Sequence, residues 1–150
     1  MRKTFTILSI NVSTRRGTRK HPVQSARLVA NHGVEGDAHA GDWPRQVSLL
    51  AEEEVKRAGR LDEGRGASFD YYTENFTTLG VELAELPIGT RLHLGDADLE
   101  VTRIGKTEEE ASHYSLSENP REYVNSHRGV FARVLSGGTV TRESPCWYDA

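Results

Sequence analysis

Seventeen residues, Gly33 to Leu49, gather three glycines, a proline, three acids, a histidine and an arginine between two apolar runs. Arg45 carries a planar fork of five donors that suits phosphate or carboxylate, and Gln46 sets an amide beside it. Asp37 and His39 add an anionic acceptor and a titratable ring two residues apart. Gly33, Gly36 and Gly41 read as positions where the backbone turns left-handed or lets another group approach closely. The bland alternative is a plain connection between two strands, its Asp and Gly present for turn chemistry. A connection this long without secondary structure of its own leans toward function.

The elements that must position this loop are short and mostly extended. Thr4 to Val12 is strand-like, with Phe5 and Ile7 on one phase and Ile10 and Val12 on the other, which predicts a bulge or burial on both faces. Ser13 to Pro22 is a basic turn region holding Arg15, Arg16, Arg19, Lys20 and His21, either a solvated loop or the cationic rim of an anion site. Ser25 to Ala30 is a weaker strand leading into the glycine loop, and Val47 with Leu49 begins another. Ala51 to Ala58 reads as a brief helix, with Glu52–Lys56 and Glu53–Arg57 pairs one turn apart and Gly59 as its stop. Leu61 to Asp70 shows no period and reads as a loop. Glu74 to Gly80 is polar where a core strand would be apolar.

Arg91 to Thr102 is the clearest hairpin, two alternating strands around Gly95-Asp96. Asn119-Pro120-Arg121-Glu122 is a helix start, with Asn as cap and Pro in the first position, and the helix runs to His127 and Arg128. Val130 to Leu135 and Val140 read as a last hairpin around Gly137-Gly138, followed by a tail that holds Cys146. Many short strands and two short helices point to a mainly β barrel or sandwich, in one domain spanning residues 1–150.

Composition narrows the function classes. A net charge of −3 leaves no basic footprint for nucleic-acid backbone, while one Arg-lined pocket for a small anion needs none. No apolar stretch approaches a membrane span, the N-terminus lacks a secretory signal, and one cysteine makes no intrachain disulfide, so the expected location is cytoplasmic.

Three blocks in this order resemble the MOSC domain: Gly33 to Gly41 followed by Arg45-Gln46-Val47-Ser48-Leu49-Leu50; Glu74 to Gly80; and Gly129 to Gly138. Leu86 to Ala97 is similar to the family's hairpin, and the resemblance runs over roughly residues 5 to 142. It implies a closed or partly closed β-barrel with a few short helices, which binds the molybdenum cofactor (molybdopterin) or handles sulfur destined for metal centres. It is a stand-alone form, without the aminotransferase-like part, so no pyridoxal phosphate is expected. The implied partners are molybdoenzymes or cofactor-synthesis proteins. In that picture the pterin phosphate seeks cations and backbone N–H groups, with Arg45 as the charge-assisted contact and Lys106 and Gln46 beside it. Asn75, Thr77 and Thr78 would meet the pterin edge or dithiolene region, and Asp37 and His39 would orient Arg45 or bind directly. A hydrogen-bonded loop histidine is the simpler reading of His39.

The chain departs from the family at one chemically important place. Catalytic members carry a cysteine after the hairpin, near Gly105-Lys106, whose thiolate ligates molybdenum or accepts sulfur. Here the segment reads Thr107-Glu108-Glu109-Glu110-Ala111-Ser112. Sulfurase-like or oxidoreductase activity is therefore left open. The alternative is a non-catalytic MOSC-fold module for another anion or a protein partner. Asp37-x-His39 and Glu110-x-x-His113 are each too few ligands for a closed metal site, and metal-dependent hydrolysis ranks last.

Overall fold

The structure is a computed structural model that describes residues 1–16, 18–61, 72–112 and 120–150. The loop expected over Leu61 to Asp70 lies outside the described residues except for Leu61, which ends a helix, and the Asn119 cap and His113 of the Glu110 pair lie outside them too.

The first strand sets the frame. β1 (Arg2–Val12) buries Phe5 and Ile7, slips register between Ile7 and Ser9, and then buries Ile10. That bulge is the phase change visible in the sequence. Around β1 stand β5 (Val47–Ala51), β6 (Phe76–Leu79), β7 (Arg91–Leu94), β8 (Ala97–Ile104), β9 (Val130–Ser136) and β11 (Cys146–Asp149). The order β1-β6-β5-β9-β8-β7-β11 returns to β1, closing a seven-strand barrel with no free edge in the ring. All of these pairs are antiparallel except β5–β6. The expected β7–β8 hairpin is present, with Leu94 opposite Ala97 and Gly95 at φ 61° in the two-residue turn.

Short β2 (His21–Val23) extends the sheet from the end of β1, and β3 (Ser25–Val29) pairs with β4 (Gly33–Val34) and β10 (Gly138–Thr141) in a separate three-stranded sheet. The core inside the barrel is one contiguous cluster that includes Phe5, Ile10, Leu49, Phe76, Leu92, Leu99 and Val134. A smaller cluster lies outside the wall, where Leu50 meets Val55 and Ala58 of α1 (Glu52–Leu61) and Val124 of α3 (Pro120–Arg128). Helices on its outer face explain why β5 is buried at all five positions rather than at alternate ones. α2 (Glu108–Ala111) is a single turn started by a Thr107–Glu110 capping box.

Three expectations need correction. Residues 130–140 do not form a hairpin: β9 stays in the barrel and β10 crosses to pair with β3. The segment around Cys146 is a barrel strand rather than a tail, joined to β1 on one side and β7 on the other. Helix α1 continues past Gly59 to Leu61, since the apolar packing of Val55 and Ala58 outweighs a cost of about 1 kcal/mol for a helical glycine. No helix among the described residues is long and apolar enough to cross a membrane.

Candidate functional site

One end of the barrel opens into a pocket of about 520 Å³. Its walls come from the 16–20 loop, the glycine loop, the start of β5, the approach to β6, the turn after β8, and one face of α3. Parts of the chain far apart in sequence thus meet here, because the strands that carry them are neighbours in the closed ring.

Charge is the pocket's dominant feature. Arg16, Arg19, Lys20, Arg45 and Lys106 all line it, as do His39 and one carboxyl, Glu122. Asp37 and Glu110 lie just behind and pair with Lys20 and Arg45, each at 3.1 Å. Five of the lining side chains are cationic, and Asp37 and Glu110 compensate two of them. Trp43, Tyr72 and Phe131 supply aromatic surface. The Arg45 guanidinium sits 4.7 Å from the Trp43 ring centre and 5.7 Å from that of Phe131, a stacked and part-exposed placement.

The loop geometry is set by Asp37. Its buried carboxylate accepts from the Ser13 backbone N–H at 3.0 Å, the His39 N–H at 3.2 Å and the Lys20 ammonium. Burial alone would raise its pKa, but these donors together hold it below the ordinary carboxylate value. Ala38 N–H also donates to the Ser13 carbonyl, so the exit of β1 and the glycine loop are stitched together. Burial lowers the pKa of His39, with Lys20, Arg16 and Lys106 acting the same way and Asp37 opposing. Burial raises that of Glu122, with Glu74 reinforcing it and Lys106 and Lys20 opposing. An imidazole kept from protonating and a carboxyl kept from ionising thus face the same cleft.

Of the residues singled out in the sequence, His39, Arg45, Asn75 and Lys106 are brought together in the pocket wall, with Asp37 directly behind. Asn75 is engaged at both ends of its amide: Oδ1 accepts from the Ser48 N–H and Nδ2 donates to the Asn11 carbonyl. Gln46, Thr77 and Thr78 are buried and do not line the pocket. Gln46 donates to Asn31 and accepts from the Val134 N–H, and Thr77 donates to Glu74. The polarity of Gln46 and Thr77 serves the barrel wall, while the Thr78 hydroxyl is buried without a partner among the described residues.

Sequence reasoning missed Glu122, Tyr72 and the directing role of Lys20. Glu122 had been absorbed into a helix-start motif, and Lys20 sat in a run of basic residues that reads as solvated. The acidic 108–110 run, a source of repulsion on paper, instead contributes Glu110 as a bridge between Arg45 and Arg103. The Thr107 hydroxyl and the Arg103 guanidinium hold its carboxylate at about 2.

Cys146 takes no part. It is 2 % exposed inside the barrel, opposite Phe5 and Leu94, and burial raises its thiol to about 11. We expect alkylation of the native protein by iodoacetamide to be limited by unfolding, because burial keeps the thiol protonated at pH 7 and the sulfur is covered. Rapid, stoichiometric labelling without denaturant would contradict this placement.

No protein-family model matches the sequence, and a search of curated proteins finds no match. Solved structures do match in fold. The YuaD protein of Bacillus subtilis superimposes with a TM-score of 0.73 at 15 % identity, covering 99 % of this chain and 97 % of that one. YiiM of Geobacillus stearothermophilus gives 0.67 at 17 % identity, covering 97 % and 75 %. YiiM of Escherichia coli gives 0.64 at 18 % identity, covering 100 % and 70 %. These likenesses show a barrel fold shared with YuaD and YiiM, consistent with the MOSC-like barrel that the sequence resemblance implies.

Proposed function

We propose that this chain is a MOSC-type binding barrel for a small, planar, phosphate-bearing anion, the molybdenum cofactor or its pterin precursor being the candidate. The convergence of Arg16, Arg19, Arg45 and Lys106 on one cavity with aromatic walls carries the reading. The donor set suits the anionic part of a pterin phosphate, which charge-assisted hydrogen bonds hold strongly. Trp43, Tyr72 and Phe131 suit its ring. Arg45 and Lys106 would hold the phosphate, with His39 at the pocket wall.

The sulfur chemistry of the family does not fit. The only cysteine in the chain is in the barrel core, and no pocket-lining residue carries a thiol. This absence favours the second reading, a module that keeps the fold and binds an anion without thiol chemistry.

Isothermal titration with inorganic phosphate and fluorescence of oxidised pterin on protein isolated from its native host test both readings together. Phosphate binding with releasable pterin supports the cofactor; phosphate binding without it supports another anion. In either case Arg45→Ala should weaken phosphate about tenfold or more, the loss of one charged hydrogen bond. Binding should also weaken as salt rises. A parent protein that takes neither probe, or an Arg45→Ala variant that binds as the parent does, overturns the proposal.

A further inference from the structure

Lys20 would be counted as an anion ligand on charge alone, yet its surroundings assign it differently. The side chain is 6 % exposed. Its Nζ lies 3.1 Å from Asp37 Oδ1, 3.4 Å from Ser13 Oγ and 3.3 Å from His39 Nδ1. An ammonium has three protons and no acceptor, and here three acceptors of the protein surround it. Its donors are committed before any ligand arrives.

The contact with His39 has a sharper consequence. Lys20 can only donate, so His39 Nδ1 must accept, and the ring proton resides on Nε2. The competing arrangement, a proton on Nδ1 given to Asp37, meets an oxygen at 3.9 Å, beyond hydrogen-bond reach and farther than the ammonium. The backbone of His39 is fixed independently: its N–H donates to Asp37 Oδ2 and its carbonyl accepts from Trp43 Nε1 at 2.9 Å. Nε2 has no partner among the described residues, while the side chain is 44 % exposed and lines the pocket.

We propose that Lys20 is a positioning residue that holds His39 neutral with its proton on Nε2, so that the pocket offers one uncharged N–H donor among its guanidinium and ammonium groups. Asp37 completes the device by neutralising Lys20 and fixing the loop. This deepens the anion-binding reading and rests on it for its use. The ligand class it implies carries an oxygen acceptor, such as a phosphoryl or carbonyl oxygen, close to its charged group. The groups that face His39 are Lys20, Arg16 and Lys106, which disfavour its cation, and Asp37, which favours it.

The test is long-range ¹H–¹⁵N NMR of the imidazole side chains in the intact protein without ligand. His39 should show a pyridine-like Nδ1 and a pyrrole-like Nε2 at pH 7, and its titration midpoint should lie below the ordinary histidine value. A pyrrole-like Nδ1, or a ring charged at pH 7, would overturn the proposal. In Lys20→Met the tautomers should mix and the midpoint should rise by about one unit or more, since Asp37 then acts on the ring unopposed by the ammonium. An unchanged midpoint in a folded variant would count equally against it; if the variant does not fold, the parent spectrum decides alone. Phosphate titrated into the parent should then move Nε2 more than Nδ1. A parent that shows the Nε2 proton but ignores phosphate keeps the positioning role and loses the functional reading, so the two failures are distinct.

Discussion

Arg121→Met is expected to cost about 3–5 kcal/mol, since breaking a buried pair leaves the other charge uncompensated. Arg121 is 3 % exposed and Glu74 fully buried, and they meet through two parallel bonds, Nε–Oε1 at 3.2 Å and Nη2–Oε2 at 2.8 Å. The Thr73 N–H and both threonine hydroxyls, of Thr73 and Thr77, donate to the same carboxylate. Glu74 is therefore satisfied from four sides and would lose its only charged partner at hydrogen-bond distance among the described residues. For a chain of this length the loss corresponds to a fall in Tm of about 6–20 °C. The pair also fastens α3, which carries Glu122 and Asn125 of the pocket, to the start of β6. A double variant, Arg121→Met with Glu74→Gln, should recover part of the loss because no buried charge remains. A single variant that melts within about 2 °C of the parent would show that α3 is held by other contacts.

The second large effect is at Gly33. Its φ of 125° lies in the region that side chains rarely adopt, and a Cβ there would meet the Gln46 carbonyl oxygen at 2.6 Å. Backbone oxygen cannot swing aside as a flexible side chain could. Gly33→Ala should combine left-handed strain of about 1–2 kcal/mol with overpacking of about 1–3 kcal/mol. Gly36, at φ 84°, has nothing within 4 Å of such a Cβ. Its alanine variant should carry the strain of about 1–2 kcal/mol and no clash. Thermal melts of the two variants separate these contributions. Equal losses at both sites would mean that contact with Gln46 is not what holds the loop.

How far the sequence could be read follows from what each signal depends on. The β7–β8 hairpin was legible because alternation and a two-residue Gly95-Asp96 turn are local. The bulge in β1 was legible for the same reason, as a change of phase within one strand. The glycine loop and Arg45 stood out by type, and the structure places His39 and Arg45 together in one pocket wall. Partners across long separations were not legible. Nothing in Val130 to Thr141 says that β10 leaves β9 to join β3, and nothing in Cys146-Trp147-Tyr148 says that it lies between β1 and β7.

The site divides along the same line. His39 and Arg45 stand out by type and setting. Thr77, Asn75 and Gln46 look equally available in one dimension, but their hydrogen bonds are used within the wall by Glu74, Ser48, Asn11, Asn31 and Val134. Whether a polar side chain faces a ligand or stitches strands depends on neighbours that the sequence does not order. Lys20 is the sharpest case, a buried cation hidden among exposed ones because Asp37 is 17 residues away.

The meeting of β11 with β1 bears on how the molecule assembles. Arg2 faces Asp149 and Phe5 faces Cys146, so the seam joins strands more than 130 residues apart in the sequence. Contacts between such remote residues carry a high loop-closure cost and slow the search for the native state. Until β11 docks, the free edges of β1 and β7 are templates for another chain. Partly unfolded molecules in which β11 has come away therefore expose two edges open to intermolecular pairing.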